Sequence, residues 1–472
     1  MEPGSESHQT LNQSRRKGPN FFQSTRYRIY DLITHRSREN LVATRLIPPQ
    51  GPPVNHVGVL HANETTSPTP YSSDEHGLMQ EALLPPALRL PVEILQEIFD
   101  VVSHQDRFSV DNIGYSFCRP KDLPWGISQV CRQWRYIVLS SPFLWATLPG
   151  INLLSNHTRQ KDYVDGLADI LKRSRNALIT VHVSGVGFTD RTHPVADLLV
   201  QHSRRWQKIT LYIPLKGLLA FNGAKGNLSS LRTLVAEWKE MNPTDYDSEG
   251  TFDLFLKAPE LRNISIMKGD VGELQLPHKG LLKYVQRFGC MDKVNDFICS
   301  SPGLRHLELV LLKFVPGISS HNLQMANLVF LRIHRVDNGL LRWLLASISA
   351  PVLEELNIDA FPDSITPAIT SMVSRSAPSL LQKLYLRTAF GTPGQLTDLL
   401  ILTPKLFLLS VTMPPSDDIR ALTASRVYGS VLTPILRDCR FEIMLDTSEE
   451  QMCQAASFAN ARPELKYSLQ RY

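Results

Sequence analysis

Apolar residues recur at helical spacing directly after residue 86. In the stretch VEILQEIFDVV, one helical face would carry Ile94, Leu95, Ile98, Phe99 and Val102. Pro91 precedes this stretch and suits the first position of a helix, where a missing N–H costs nothing. The pattern predicts an amphipathic helix that ends near DVVSHQD.

Two further apolar segments follow, and they hold two of the six tryptophans. The spacing i, i+3, i+4, i+7 in ISQVCRQWRYIV is set by Ile127, Val130, Cys131, Trp134, Ile137 and Val138. It predicts one continuous helix with Trp134 on its buried face. In SSPFLW, Ser141 suits an N-cap and Pro142 a first helical position, so a short turn carries Trp145. Three short helices need such large side chains to close a core.

The remainder of the chain repeats a leucine pattern. APELRNISI, SPGLRHLEL, APVLEELNI, APSLLQKLYL and TPKLFLLSV share P-x-L followed by apolar residues at L-x-x-L-x-L spacing. We call this repeated pattern the leucine frame. The first apolar residues of its successive copies are Leu178, Trp206, Leu231, Leu261, Leu282, Leu304, Leu328, Leu353, Leu381 and Leu406. They lie roughly 21–30 residues apart, close to the leucine-rich-repeat range of about 20–29. The segments around 178 and 282 fit the frame loosely.

Helical patterns fill the intervals between these leucines. DNGLLRWLLASIS, MDKVNDFICS and TPGQLTDLLIL each place apolar residues on one face. Strand, return helix and strand make one coil, and coils stack because none buries its apolar face alone. A doubly wound α/β sheet is the competing architecture. It would need near-continuous apolar strands and a glycine-rich first turn, which are absent here. FEIMLD, SEEQMCQAASFANA and ELKYSLQ predict a last strand, a capping helix and a closing strand.

Polar residues alternate with the buried leucines and should share the concave face. They are His306, Glu308, Arg332, His334, Glu355, Asn357, Asp359, Lys383, Tyr385 and Arg387. The charged side chains of successive coils would then be basic, acidic and basic in turn. One interpretation is a charge ladder that stabilises a solvated sheet by tenths of a kcal/mol per pair. The other is a surface that selects a target protein, since solenoids usually bind there.

Charge, cysteine spacing and the length of apolar runs indicate which partners, sites and compartments to expect. The formal charge is +5 over 472 residues, which does not predict a nucleic-acid partner. The six cysteines form no C-x-x-C pair, so neither a disulfide framework nor a zinc site is expected. No apolar run reaches the ~18 residues of a spanning helix, and the first residues lack a signal-peptide core. We expect a cytoplasmic or nuclear protein without a membrane partner, and a disordered arm over residues 1–86.

No catalytic constellation is evident in the sequence. SGVGFTD lacks the third glycine of a nucleotide loop, and neither a P-loop nor a nucleophile elbow or zinc-protease motif occurs. His306 and His334 could approach each other on neighbouring strands, but solvated histidine pairs are far commoner than catalytic ones. Cys131 on an apolar helix face is typical of a core residue. We therefore expect a protein that is not an enzyme and needs no metal or cofactor.

Residues 90–148 resemble the F-box. That family opens with L-P-x-E-[IL]-L-x-x-I-F, continues with V-C-[RK]-x-W-R and closes with x-L-W-x-x-L. Here LPVEILQEIF, VCRQWR and PFLWATL follow in the same order. The interval between the first two blocks, residues 103–126, is longer than in a compact F-box. Such insertions are common in the expanded fungal F-box families, which the chain resembles.

The resemblance implies a partner, the Skp-type adaptor of cullin-RING ubiquitin ligases. The positions that match the family's docking residues are Leu90, Pro91, Ile94, Leu95 and Ile98, with Val130, Leu144 and Trp145 contributing. Phe99 and Trp134 would hold the helices together. The other interpretation is that the apolar face is only domain core. A small three-helix unit with so much apolar surface is hard to stabilise alone, which favours a partner.

The sequence therefore predicts an α/β chain of three parts: an arm (1–86), a three-helix F-box (87–150) and an irregular leucine-rich-repeat-like solenoid with a C-terminal cap (151–472). Parallel strands would line its concave face and helices its outside. We expect a substrate-recognition subunit that holds the adaptor, the cullin scaffold and an unknown target protein. Two alternatives remain: a ligase-independent scaffold with a degenerate F-box, and a disfavoured α/β enzyme, which a pocket with a bound small molecule would revive.

Overall fold

The computed structural model describes residues 90–105, 124–238, 252–313, 323–360, 364–376, 379–423, 432–443, 447–463 and 465–471. The chain divides into two compact units. The described part of unit 1 is 90–99 with 124–140, and unit 2 holds residues 100–105 and those from 141 onward. The predicted arm, and residues 106–123 of the predicted insertion, lie outside the described residues.

The described part of unit 1 contains three helices: α1 (Val92–Gln105, whose last six residues fall in unit 2), α2 (Trp125–Ser128) and α3 (Arg132–Ser140). Its core joins Phe99 of α1 to Trp134 of α3, with Leu95, Ile137 and Val138 also buried. Glu93 lies in the first turn of α1, where a carboxylate favours the helix dipole. The described helices of unit 1 therefore pack around two aromatic rings.

The single helix predicted over 127–138 is wrong. Backbone bonds from Gln129 to Gly126 and from Val130 to Ile127 close three-residue turns that end α2. Cys131 then starts α3: its sulfur accepts the N–H of Trp134 at 3.4 Å, as an N-cap side chain does. Ile127 before this break and Trp134 after it are nevertheless both buried.

The described residues of unit 2 form one sheet of thirteen strands in which every pairing is parallel. Its first half holds β1 (Ile151–Asn152), β2 (Ile179–Ser184), β3 (Trp206–Tyr212), β4 (Thr233–Glu237), β5 (Asn263–Lys268), β6 (Lys283–Cys290) and β7 (His306–Lys313). The second half holds β9 (Phe330–His334), β11 (Glu355–Asp359), β12 (Lys383–Arg387), β13 (Leu408–Thr412), β14 (Asp438–Ile443) and β15 (Lys466–Arg471). Two short strands, β8 (Leu323–Gln324) and β10 (Ile348–Ser349), pair separately.

Helical segments return the chain between the strands. They are α4 (Lys161–Arg173), α5 (Pro194–Gln201), α6 (Met291–Cys299), α7 (Asn338–Ser347), α8 (Thr366–Arg375), α9 (Gln395–Ile401), α10 (Ser416–Thr423) and α11 (Glu449–Ala461), with a 3-10 segment at Leu215–Ala224. From α7 to α11, each helix contacts the next in chain order. The strands of the large sheet also follow chain order without reversal. A doubly wound sheet would reverse that order at a switch point.

The leucine frame explains this regularity. Eight of its ten residues are buried, and those that precede β4, β5, β7, β9, β11, β12 and β13 lie two positions before the strand. The two loosely fitting positions are wrong as core residues, because Leu178 and Leu282 are exposed. Leu281 is buried instead and stands two positions before β6, the same offset as Leu304 before β7.

The C-terminal cap forms as a strand, a helix and a strand. β14 begins three residues before the predicted FEIMLD, whose last three residues lie outside the described part of the chain. The helix α11 begins with a capping box in which Ser448 and Gln451 satisfy each other's backbone N–H groups. β15 closes the sheet against β14 over the predicted ELKYSLQ segment.

Candidate functional site

The residues expected to bind an adaptor fall into exposed and buried groups. On α1, Ile94 and Ile98 are 48% and 42% exposed, and Pro91 is also exposed. Leu90 and Val130 are half-buried. Ile94 and Ile98 lie one turn apart on α1 and form an exposed apolar face, which we call the α1 patch.

The packing of α1 explains why this patch stays outside the core. Leu95 and Phe99 are one turn apart and buried, and the Phe99 ring meets Trp134 edge to face with centroids 4.9 Å apart. Ile94 and Ile98 lie one position earlier in each turn and so point off this face. The helix is thus apolar on more than one face, which is typical of an element that contacts a partner.

Three other predicted contacts need correction. Leu95, Leu144 and Trp145 are each 1% exposed, so their side chains present almost no surface to another protein. Leu95 belongs to the core of unit 1. Trp145 lies in the 3-10 segment Pro142–Trp145 of unit 2, where the Arg173 guanidinium lies 5.2 Å from its ring centroid. Large apolar side chains at these positions stabilise the fold.

A second surface is the polar face of the large sheet, which we call the open face. The strand register aligns the residues of the open face in rows that run across neighbouring strands. One row is Lys283, His306, Phe330, Glu355 and Lys383, and the next is Val285, Glu308, Arg332, Asn357, Tyr385, Ser410 and Arg440. A third holds Val310, His334, Asp359, Arg387, Thr412 and Glu442. All the residues predicted for target binding therefore share this face.

Glu308 is the most enclosed carboxylate of the open face. Its side chain is 10% exposed, and an oxygen accepts a hydrogen bond from Arg287 at 3.3 Å. Arg332 of the following strand stands 3.9 Å from its other oxygen. Arg332 Nε is itself buried and has no hydrogen-bond partner among the described residues.

The predicted approach of His306 and His334 does not occur. Register sets His306 opposite Phe330 and His334 opposite Val310. The His306 ring stacks on Phe330 with centroids 4.0 Å apart, and His334 Nε2 lies 2.7 Å from Asn357 Oδ1. Burial lowers the pKa of His306 to about 4, with Lys283 and Arg332 adding to the effect, so this ring is neutral near pH 7.

Charges on the following strands compensate one another. Lys383 Nζ lies 3.1 Å from Glu355, and Arg387 stands 3.8 Å from both Asp359 and Glu442. Burial raises the pKa of Glu442, although Arg387 opposes the shift. Half-exposed pairs of this kind contribute about 0–1 kcal/mol each. The charge ladder expected from the sequence is therefore present here.

Several open-face residues were missed by sequence reasoning. Phe330 occupies the same frame position as His306, so the offset from Leu328 could have identified it. Arg440 and Glu442 follow Leu436, a buried residue that extends the leucine frame by one coil. Arg287 had no such signal, because the frame around residue 282 was displaced by one position.

Chemistry-bearing clusters are not apparent in the described ranges. No group of three or more His, Cys, Asp or Glu side chains there is arranged to hold a metal ion. In the same part of the chain, no helix combines the length and apolar character that crossing a bilayer requires. Compared with known proteins, the chain matches no protein-family model and no curated sequence. The F-box resemblance therefore rests on the three blocks of residues 90–148.

Proposed function

We propose that this chain is an F-box protein with a leucine-rich-repeat-like solenoid, and that it acts as a substrate-recognition subunit of a cullin-RING ubiquitin ligase. Unit 1 would bind the Skp-type adaptor, and the open face of unit 2 would bind a target protein. The cullin scaffold would join through the adaptor. The compartment that suits this function is the cytoplasm or the nucleus.

The observation that carries the proposal is the α1 patch. Ile94 and Ile98 are 48% and 42% exposed and lie one turn apart on α1. Burial of such side chains stabilises a complex by about 25 cal/mol per Å² of apolar surface. These residues also stand inside LPVEILQEIF, the block that resembles the adaptor-docking segment of the F-box.

The architecture of unit 2 supports the second half of the proposal. A parallel sheet in chain order, with helical returns and a leucine two positions before most strands, is typical of a solenoid. Its open face carries charged and aromatic side chains in three aligned rows. In this function the chain supplies proximity and orientation, while the transfer chemistry belongs to the ubiquitin-conjugating enzyme. It would need neither a cofactor nor a catalytic residue.

Calorimetric titration of the full chain with a Skp-type adaptor tests the proposal. Submicromolar binding is expected for the natural sequence. The double variant Ile94→Asp, Ile98→Asp should weaken binding at least about 100-fold, because both changes set a charge into an apolar interface. The matched control is Val186→Asp, Leu256→Asp, which changes two exposed apolar residues of unit 2.

The outcomes separate the proposal from its alternative. Binding that the control retains and the α1 variant loses supports an adaptor-docking F-box. Absence of binding by the folded natural chain would contradict the ligase function and leave a protein-binding scaffold with a degenerate F-box. Equal loss in both variants would contradict docking through the α1 patch.

A further inference from the structure

Three neighbouring strands of unit 2 break their alternation at the same register position. Successive side chains of a strand point to opposite faces of the sheet. Residues 288, 311 and 335 would therefore be expected to point into the core, as the buried residues two positions earlier in β6, β7 and β9 do. Each of them instead adopts a left-handed backbone, with φ of 55° at Phe288, 54° at Leu311 and 52° at Arg335. Phe288 is 47% exposed, Leu311 is half-buried and Arg335 is exposed, so the side chains turn outward.

The next three strands provide an internal comparison. The corresponding positions after β11, β12 and β13 are Ala360, Thr388 and Met413, and all three are buried. None of them has a positive φ. A strand in this sheet can therefore end with regular alternation, and among these six strands the left-handed outward turn occurs at β6, β7 and β9.

A left-handed backbone is unfavourable for residues with a side chain, and glycine is the usual occupant. The sequence has Phe, Leu and Arg at these positions, and two of the three side chains are apolar. The turn at Phe288 is held from inside: the buried Gln286 amide donates to the carbonyls of Phe288 at 3.3 Å and Gly269 at 2.9 Å. Strained residues fixed by their surroundings are typical of functional sites.

Positive charge surrounds these turned-out side chains. Arg287 directly precedes Phe288 and is exposed, and Arg332 lies on β9 shortly before Arg335. Glu308 is recessed between Arg287 and Arg332 and offsets one of the three guanidinium charges. We call Phe288, Leu311, Arg335, Arg287 and Arg332 the strand-end patch. It combines two apolar side chains with three guanidinium groups, of which Arg287 and Arg332 share the carboxylate of Glu308.

We propose that the strand-end patch binds an acidic peptide segment of the target protein, with an apolar side chain seated on Phe288 and Leu311 and Asp or Glu carboxylates paired with the arginines. Arg287 and Arg335 are exposed, and the Arg332 side chain is 38% exposed although it already pairs with Glu308 at 3.9 Å, so all three guanidinium groups can be reached from solvent. A singly charged carboxylate also meets less repulsion from Glu308 than a phosphate group would. This inference rests on the proposed target-binding role of the open face and names the class of target.

A peptide-display selection on the full chain, without adaptor present, tests the inference independently of adaptor binding. Selected peptides should be rich in Asp and Glu around an aromatic or aliphatic residue. Fluorescence anisotropy with the most enriched peptide should give at least about 30-fold weaker binding to Arg287→Glu, Arg335→Glu. The control Arg191→Glu, an exposed arginine elsewhere in unit 2, should bind as the natural sequence does.

Phe288→Gly separates a binding role from a folding role. Glycine accepts a φ of 55° without strain, so the variant should unfold at the same temperature or higher. It should nonetheless bind the selected peptide roughly 10-fold more weakly, because the apolar contact is lost. Neutral or basic selected peptides, no selected peptide, or equal binding by the arginine double variant would each overturn the inference. None of these outcomes bears on adaptor binding, which the α1 variants test separately.

Discussion

The rings of Phe99 and Trp134 pack edge to face, with centroids 4.9 Å apart and an interplanar angle of 61°. This contact joins α1 to α3 and forms the centre of the small core of unit 1. By contrast, Tyr136 lies two residues further along α3 and is 74% exposed. Two aromatic residues of one helix therefore have different roles, and substitution can separate them.

Trp134→Ala should destabilise unit 1 by about 3–5 kcal/mol, because it removes a buried indole and leaves a cavity. Tyr136→Ala, the matched control, should change stability by no more than about 0.5 kcal/mol. Hydrogen exchange of the α1 and α3 backbone amides measures the opening free energy of this unit separately from the sheet. Equal exchange in the two variants would contradict the central position of Trp134.

Asp418 should contribute strongly to the stability of unit 2. The residue is fully buried, and its carboxylate accepts the backbone N–H groups of Gly394 and Thr397 at 3.1 and 2.9 Å. The Thr397 hydroxyl donates a third hydrogen bond at 2.6 Å. Asp418→Ala would leave these donors unsatisfied at the start of α9, at a cost of about 2–4 kcal/mol.

The neighbouring Asp417 supplies the control for this prediction. It is exposed and pairs with Arg420 at 3.2 Å on the surface of α10. Asp417→Ala should therefore cost no more than about 0.5 kcal/mol in a chemical unfolding experiment. Similar losses for the two aspartates would show that the buried carboxylate does not cap α9.

His193 should make the protein less stable in mild acid. Burial lowers the pKa of this imidazole, Arg159 adds to the shift, and Asp190 and Asp197 oppose it. Its Nδ1 accepts the N–H of Val195 at the start of α5, a bond that protonation would break. Since the unfolded state binds the proton more readily, this stabilisation is complete above pH ~6.5 and is lost as the pH falls towards the folded pKa.

His193→Asn isolates that effect. An asparagine oxygen can accept the same N–H group but does not titrate in this range. Unfolding midpoints measured between pH 7.5 and 5, a window of about 2.5 units around the unfolded value, should fall less steeply for the variant. Parallel pH profiles would rule out a contribution from His193.

Glu308→Gln should strengthen binding of acidic peptides. The substitution removes the carboxylate that offsets Arg287 and Arg332 but keeps a side chain of similar size. An increase in affinity of about 3–10-fold is expected for the selected acidic peptide, and it should diminish at high salt. Unchanged or weaker binding would indicate that Glu308 itself contacts the ligand.

Much of the repeating fold could be predicted because its signal is local. Apolar spacing predicted α7 and its four buried leucines, Leu340, Leu341, Leu344 and Leu345, and the leucine frame located most strands within two residues. Alternation within each strand then correctly grouped residues such as Arg332 and Asp359 on one face. These features depend on the period of two or 3.6 residues that backbone geometry imposes.

The strand-end patch could not be predicted for the opposite reason. Nothing in the sequence marks Phe288, Leu311 or Arg335 as left-handed, because the residue that normally signals such a turn is glycine. The division of α1 into a buried and an exposed apolar face was equally hidden. Periodicity shows that Ile94 and Leu95 are both apolar, but only the position of Trp134 decides which of them is buried.

In the proposed function, α1 is the surface on which an adaptor docks. Hydrogen–deuterium exchange of the full chain, with and without saturating Skp-type adaptor, tests it most directly. Slower exchange is expected over Val92–Phe99 in the complex, with unchanged exchange on the open-face strands β7, β9 and β11. Unaltered exchange in α1, or protection confined to those strands, would contradict it.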